Sequence, residues 1–229
     1  GYMNAYKVFT WNPTAFPHPK KLIGKLKDMG IHTVVIVDPG IKVEKGYSVY
    51  EDGKKHNYFL KYPDGTDYSG QVWPGWCNFP DFTNPKVRSW WGRQFEGMVN
   101  VGVSGFWNDM NEFSVWGKEV PPVLQMDWEG KGASYMKGKN VYGLEMARAT
   151  YEGARKLMQN RRPLVLTRAG YAGLQRYTAI WTGDNQATDK HMMLGIRLIN
   201  SFGLSGVPFA GYDVGGFGGN ATQALFARW

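Results

Sequence analysis

Apolar positions recur along this chain with two spacings, and the two alternate. Leu22, Ile23, Leu26 and Met29 share one side of a helical period, so residues 19–29 are predicted as a helix with Gly30 as its stop. The β-branched run at 33–37 reads as a strand, ended by Asp38, Pro39 and Gly40. Pro85 after Asn84 opens a predicted helix over 85–100, and 103–107 is the next strand. A long helix is predicted over 141–160, with Leu144, Ala147, Tyr151, Ala154 and Met158 on one side. Short apolar runs at 164–167, 178–181 and 207–210 read as strands, and 187–202 and 221–229 as helical. Two insertions interrupt the pattern, an irregular one at about 42–84 and a second at about 113–139. Their aromatic content argues against disorder.

This alternation implies an α/β fold with a parallel sheet. Each predicted strand runs into a loop carrying a charged residue: Asp38, Asp109, Arg168, Asp184 or Asp213. In a (β/α)8 barrel all such strand ends converge on one mouth, where the active site lies. Five strands of such a barrel are legible, so residues 1–229 read as a single partial barrel domain with open strand edges.

Composition adds little to this. The 10 Trp, 13 Tyr and 12 Phe suit sugar rings and suit any core. The net charge of +8 comes from scattered Lys and Arg, with no basic run, so no nucleic-acid partner is expected. Cys77 is the only cysteine, which excludes an intrachain disulfide and a thiolate cluster. No run of eighteen apolar residues exists, so no membrane span is expected. No signal peptide is legible, and the sequence points to no compartment.

Asp109 with Glu112, Asp184 and Asp213 each follow an apolar, aromatic strand. Paired carboxylates are the working parts of glycoside hydrolysis: one attacks or activates water, the other protonates the leaving oxygen. Three carboxylates could also hold Mg²⁺ or Ca²⁺. Arg168 beside them suits a carboxylate or a sugar hydroxyl better than a metal, and sugar hydrolysis is the favoured reading. The glycines at 215, 216, 218 and 219 lack the Lys-Ser/Thr pair of a phosphate loop.

The run Gly105-Phe106-Trp107-Asn108-Asp109-Met110-Asn111-Glu112 resembles the signature of glycoside hydrolase family 31, which holds α-glucosidases and α-xylosidases. Val34–Ile41, Val72-Trp73-Pro74-Gly75, Thr167-Arg168-Ala169-Gly170, Trp181-Thr182-Gly183-Asp184-Asn185 and Gly211-Tyr212-Asp213-Val214-Gly215-Gly216-Phe217 resemble further family segments. The resemblance implies a TIM barrel represented by about its strands 3–7, and a retaining α-glycosidase without metal or cofactor. Asp109 would be the nucleophile and Asp184 the acid/base, with carboxyls about 5–5.5 Å apart. Arg168 and Asp213 would bind sugar hydroxyls; Ile36, Trp73, Trp107, Met110, Trp181 and Phe217 would wall the subsite; Asp38 would sit at its rim. The expected partner is an oligosaccharide or α-glucoside. Xylosidase or transglucosylase activity, or a non-catalytic carbohydrate-binding remnant, are the alternatives. Asp184 could also be a turn residue, Arg168 an ion-pair partner of Asp213 or Glu112, and Glu112 an orienter. Gly1 stands where the family tends to have an acid.

Overall fold

Short β-branched and aromatic segments bury well as strands of a parallel sheet backed by helices. The computed structural model describes residues 1–117 and 119–229; Lys118, inside the second predicted insertion, lies outside the described residues. Strands β1 (Val34–Val37), β2 (Gly105–Asn108), β3 (Leu164–Thr167), β4 (Ala179–Trp181) and β5 (Ala210–Gly211) form one parallel sheet in sequential order. The main helices are α1 (Pro19–Asp28), α2 (Pro85–Gln94), α3 (Tyr142–Leu157) and α4 (Asp189–Leu204). This is the α/β architecture expected from the alternating pattern.

The register aligns Val37 with Asn108, Asn108 with Thr167, Thr167 with Ile180 and Ile180 with Ala210. One residue further along, the ladder brings Asp38, Asp109 and Arg168 side by side. The Asp109 amide donates to the Val37 carbonyl at 3.3 Å and the Arg168 amide to the Asn108 carbonyl at 3.1 Å. Successive residues of a strand point to opposite faces. Val35, Val37, Phe106, Val165 and Ile180 therefore bury against the helices. Ile36, Trp107 and Leu166 line the other face, which opens toward its N-terminal end, where Val34 is 41% and Leu164 47% exposed.

The core lies between the sheet and helices α2 and α3, around Trp90, Trp91, Phe95, Phe106 and Tyr142. Gly92 and Gly153 let these helices touch backbone to backbone. A Cβ on Gly153 would lie 2.2 Å from the Gly92 Cα. Beside this crossing the buried Thr150 hydroxyl accepts hydrogen bonds from Trp91 Nε1 at 3.1 Å and Asn108 Nδ2 at 3.0 Å. Those bonds satisfy polar groups that would be costly to bury alone.

Some sequence expectations change. The insertion at 42–84 is not irregular: Ile41–Lys42, Gly75–Asn78 and Ser69–Val72 form an antiparallel three-stranded sheet, and Ser48–Lys55 is a helix. Ser69–Val72 alternates exposed and buried positions, and Trp73-Pro74 closes a tight hairpin with Gly75 at φ +101°. That period-two signal is only four residues long. The second insertion contains a two-stranded ribbon, Gln125–Met126 with Ala133–Ser134. The helix predicted over 85–100 divides at Phe95 into α2 and Glu96–Asn100. The last strand starts at Ala210, not at 207, because the Val207 amide donates to the Phe202 carbonyl and Pro208 has no N–H.

Candidate active site

The C-terminal ends of β1 to β5 carry the polar residues into one mouth. Met110, at φ +55°, turns the chain directly after Asp109 and sends residues 110–114 back across the opening. Asn111 anchors this turn from below: its Nδ2 donates to Thr167 Oγ1 at 2.8 Å, and its Oδ1 accepts from the Ala169 amide at 3.2 Å. The loops after β2 and β3 are thereby fastened together. The loops after β4 and β5 are fastened by Asn185, whose side chain accepts from the Asp213 amide and donates to the Asp213 carbonyl, each at 3.0 Å. Gly216 permits that closeness, since a Cβ there would lie 2.5 Å from the Ala187 nitrogen.

Arg168 sits among the acids. Its Nε donates to Glu112 Oε1 and its Nη2 to Glu112 Oε2, both at 2.9 Å. Nη2 also lies 3.2 Å from Met110 Sδ and 3.2 Å from Ser114 Oγ. Nη1 lies 3.2 Å from Asp109 Oδ1, near enough for an ion pair but without hydrogen-bond alignment. Of the two ion pairs expected as alternatives for Arg168, the structure forms the one with Glu112.

The charges press on one another. Burial raises the Asp109 carboxyl; Arg168 and the Met110 amide pull it down, Asp184 and Glu112 push it up, and it stays above the usual carboxylate range. Burial, and then the charge of Asp109, push Asp38 up to about 7 against the pull of Arg168. Burial and Asp184 raise Asp213. Burial would raise Glu112 too, but the hydrogen bonds from Arg168 and Ser114 hold it low. Asp184 is exposed, and its charge reaches Asp109, Arg168 and Asp213.

Four buried polar atoms at this mouth have no hydrogen-bond partner among the described residues: Asp38 Oδ1, Trp107 Nε1, Asp109 Oδ1 and Asp213 Oδ2. They surround an apolar floor. Trp107 and Trp181 meet edge to face with centroids 5.2 Å apart, and Ile36 lies beside Trp107 in register. A cavity of about 430 Å³ lies on this inner face, lined by Trp107, Leu166, Trp181 and Asp213. Hydroxyl-bearing rings combine an apolar face with polar edges, and this mouth offers the complement of both. Among the described residues no group of three His, Cys, Asp or Glu side chains could hold a metal ion.

Trp73 and Phe217 are not packed into this cluster. Phe217 is 70% exposed. Trp73, at the hairpin tip and 51% exposed, stacks on Tyr6 at 5.9 Å and meets Trp116 edge-on at 5.2 Å. Sequence reasoning missed Tyr6, Trp116 and Ser114. Three solvent-facing aromatics in contact form a surface feature that no periodicity announces, because they come from three separate loops.

The Asp38 carboxyl yields a direct test of this electrostatic picture. Its folded value lies above its unfolded one of 3.8, so the native state holds the extra proton between about pH 4 and 7. Stability from this group is complete below pH 4 and is lost as pH rises through 7. Replacing Asp38 by Asn removes that loss, a gain of at most about 4 kcal/mol at pH 8 and little at pH 4. Urea titrations at both values check it; an equal effect of the substitution at both would contradict the picture.

A match to a family of known proteins runs the length of the chain: residues 1–229 fit the model of the glycosyl hydrolases family 31 TIM-barrel domain. The chain belongs to glycosyl hydrolase family 31. It is 47% identical over 230 residues to alpha-glucosidase 2 of Bacillus thermoamyloliquefaciens, covering 100% of this chain and 29% of that protein. It is 42% identical to human neutral alpha-glucosidase AB, covering 97% of this chain and 24% of that protein. Among solved structures, the glucosidase II alpha subunit in its alpha3-Glc2-bound form superposes with a TM-score of 0.92 at 36% identity, covering 100% of this chain and 25% of that one. A Flavobacterium johnsoniae family 31 dextranase complexed with glucose superposes at 0.84 with 30% identity, over 100% and 29% of the two chains. This family 31 chain thus spans less than a third of the curated relatives it matches.

Proposed function

We propose that this family 31 chain carries the catalytic centre of a retaining α-glucosidase acting on α-linked gluco-oligosaccharides. The observation that carries the reading is the Asp109 carboxylate: half-buried at the end of β2, 3.2 Å from the Arg168 cation and within reach of the charge of the exposed Asp184. A carboxylate held beside a cation at the mouth of the strands is suited to attack a carbon and to leave again as an anion. In this reading residues 1–229 act as one barrel-type unit, with the insertions at about 42–84 and 113–139 shaping its rim.

The sugar sits on Trp107 and Trp181, with Ile36 and Met110 beside it and hydroxyls toward Arg168, Asp213 and Asp38. Asp109 attacks the anomeric carbon from the face opposite the leaving oxygen. The carbon–oxygen bond breaks, Asp184 gives its proton to the departing alcohol, and a β-linked glycosyl ester forms on Asp109. Asp184, now a carboxylate, takes a proton from water. The water oxygen attacks the same carbon, and Asp109 leaves as a carboxylate. Two inversions yield α-glucose. Exposure of Asp184 suits a group that must meet both leaving alcohols and bulk water. Trp73, with Tyr6 and Trp116, and Phe217 offer aromatic surfaces at the rim for the next sugar of the chain.

The names of the matched relatives and the glucose-containing ligands of the superposed structures support the α-gluco assignment. The test is hydrolysis of aryl α-glucoside and aryl α-xyloside by the full-length protein, with the first-formed anomer followed by NMR. Initial release of α-glucose, with xyloside poorly used, is expected. Initial β-glucose, or preference for the xyloside, would overturn the mechanism or the substrate respectively.

A further inference from the structure

We infer that Glu112 is a positioning residue that takes the forked edge of Arg168, so that Asp109 is not drawn into a two-point ion pair. The inference rests on the proposed role of Asp109. Arginine pairs most strongly with a carboxylate through two parallel N–H···O bonds. The Nε–Nη2 edge of Arg168 is committed to Glu112 in that geometry, at 2.9 Å for both bonds. Nη2 is occupied further by Ser114 Oγ and Met110 Sδ, each at 3.2 Å. The guanidinium therefore reaches Asp109 only with Nη1, at 3.2 Å and out of line, and Asp109 Oδ1 stays unpartnered. Ser114 also donates a short hydrogen bond to Glu112 Oε2 and so braces the carboxylate that does the holding.

Sequence places the guard well. Glu112 and Ser114 follow Asp109 by three and five residues, and the turn at Met110 folds them over the mouth from the same loop. Arg168 comes from the neighbouring strand, and among the described residues its only other side-chain hydrogen bonds are those of Nη2 to Ser114 and Met110, both too weak to hold it from the nearest carboxylate. Without Glu112 that carboxylate is Asp109. A forked pair there would occupy both oxygens of Asp109 and lower its basicity, which weakens it as a nucleophile. Two charges favour the same shift, because Glu112 itself raises Asp109 while Arg168 lowers it.

The experiment uses the full-length protein and two variants, Glu112→Gln and Glu112→Asp. Glutamine can offer Arg168 only one acceptor, and aspartate keeps both oxygens but is one methylene too short to reach the guanidinium. For Glu112→Gln, kcat falls by about 10–100-fold, and the acid limb of kcat/KM moves down by about one pH unit. Glu112→Asp shifts the limb in the same direction by less. Other titrating groups facing Asp109 are Asp38 and Asp184, and Tyr135 faces Glu112; none is altered, so the displacement is read against the wild-type profile. A merely structural Glu112 would reduce the amount of active protein and leave the limb in place. An unchanged limb in whichever variant folds would overturn the inference. Trapping the glycosyl ester with a fluorinated glucosyl fluoride separates the two ideas. Wild-type label on Asp109 with an unmoved limb sinks the guard alone, whereas label on another residue sinks the parent mechanism.

Discussion

Replacing Asp109 by Ala in the full-length protein is expected to reduce kcat for an aryl α-glucoside by on the order of 10⁴-fold or more, because no covalent intermediate can form. The fold should survive. The Asp109 carboxylate is half-buried and its Oδ1 is shut off from water without a hydrogen-bond partner, so its removal relieves a cost as much as it removes a contact. A thermal melt close to wild type is therefore part of the prediction. The loss also has a stereochemical signature. Deleting the carboxylate leaves a small space on the face from which it attacks, and azide can enter there. Azide then displaces the leaving group once, with inversion, and the product is the β-glucosyl azide. Recovery of the α-azide would show that the nucleophile is another residue.

Asp184→Ala is expected to behave differently. An alcohol leaving group needs the proton of Asp184, so hydrolysis of an oligosaccharide falls by about 10²–10⁴-fold. A nitrophenolate leaving group scarcely needs it, so the first step with that substrate stays fast and the ester on Asp109 accumulates. Stopped-flow measurement then shows a burst of phenolate followed by slow turnover. Azide needs no general base, and it attacks the ester from the side that Asp184 faces, giving the α-glucosyl azide. Opposite azide anomers from the two variants assign the two roles independently. Equal losses on both substrates, with no burst, would remove Asp184 from the role of acid/base.

Glu112 acts on Asp109 and on Arg168 in the electrostatics of the mouth. Arg168 brings a permanent positive charge, and the proposed mechanism needs that charge near the sugar without neutralising Asp109. The fork from Glu112 resolves the conflict by geometry: guanidinium edges are few, and most are taken. Trp107 and Trp181 supply an apolar surface beside the carboxylates of the mouth, meeting edge to face with centroids 5.2 Å apart.

Strand ends were legible in the sequence because a parallel strand buried on both faces reads as an apolar run, and the first charged residue after it marks the mouth. Asp38, Asp109 and Arg168 were each visible in this way, and the register then sets them side by side. Asp184 and Asp213 follow shorter runs, and their placement depends on Asn185 joining two loops. The ordered sheet inside the first insertion was not legible, since its strands are two to four residues long and pair with each other across a helix. Short strands carry too few alternating positions to stand out from a loop.

The sequence by itself determined the parallel α/β class, the order of the strands and the chemical identity of the groups at their ends, because these depend on local periodicity and on residue type. Only the tertiary structure decided which nitrogen of Arg168 faces which carboxylate, which polar atoms are left without partners, and that Tyr6, Trp73 and Trp116 meet at the surface. Those properties are set by distances of a few ångströms between residues far apart in the chain. No local pattern encodes them, because they arise only when separate loops are packed together.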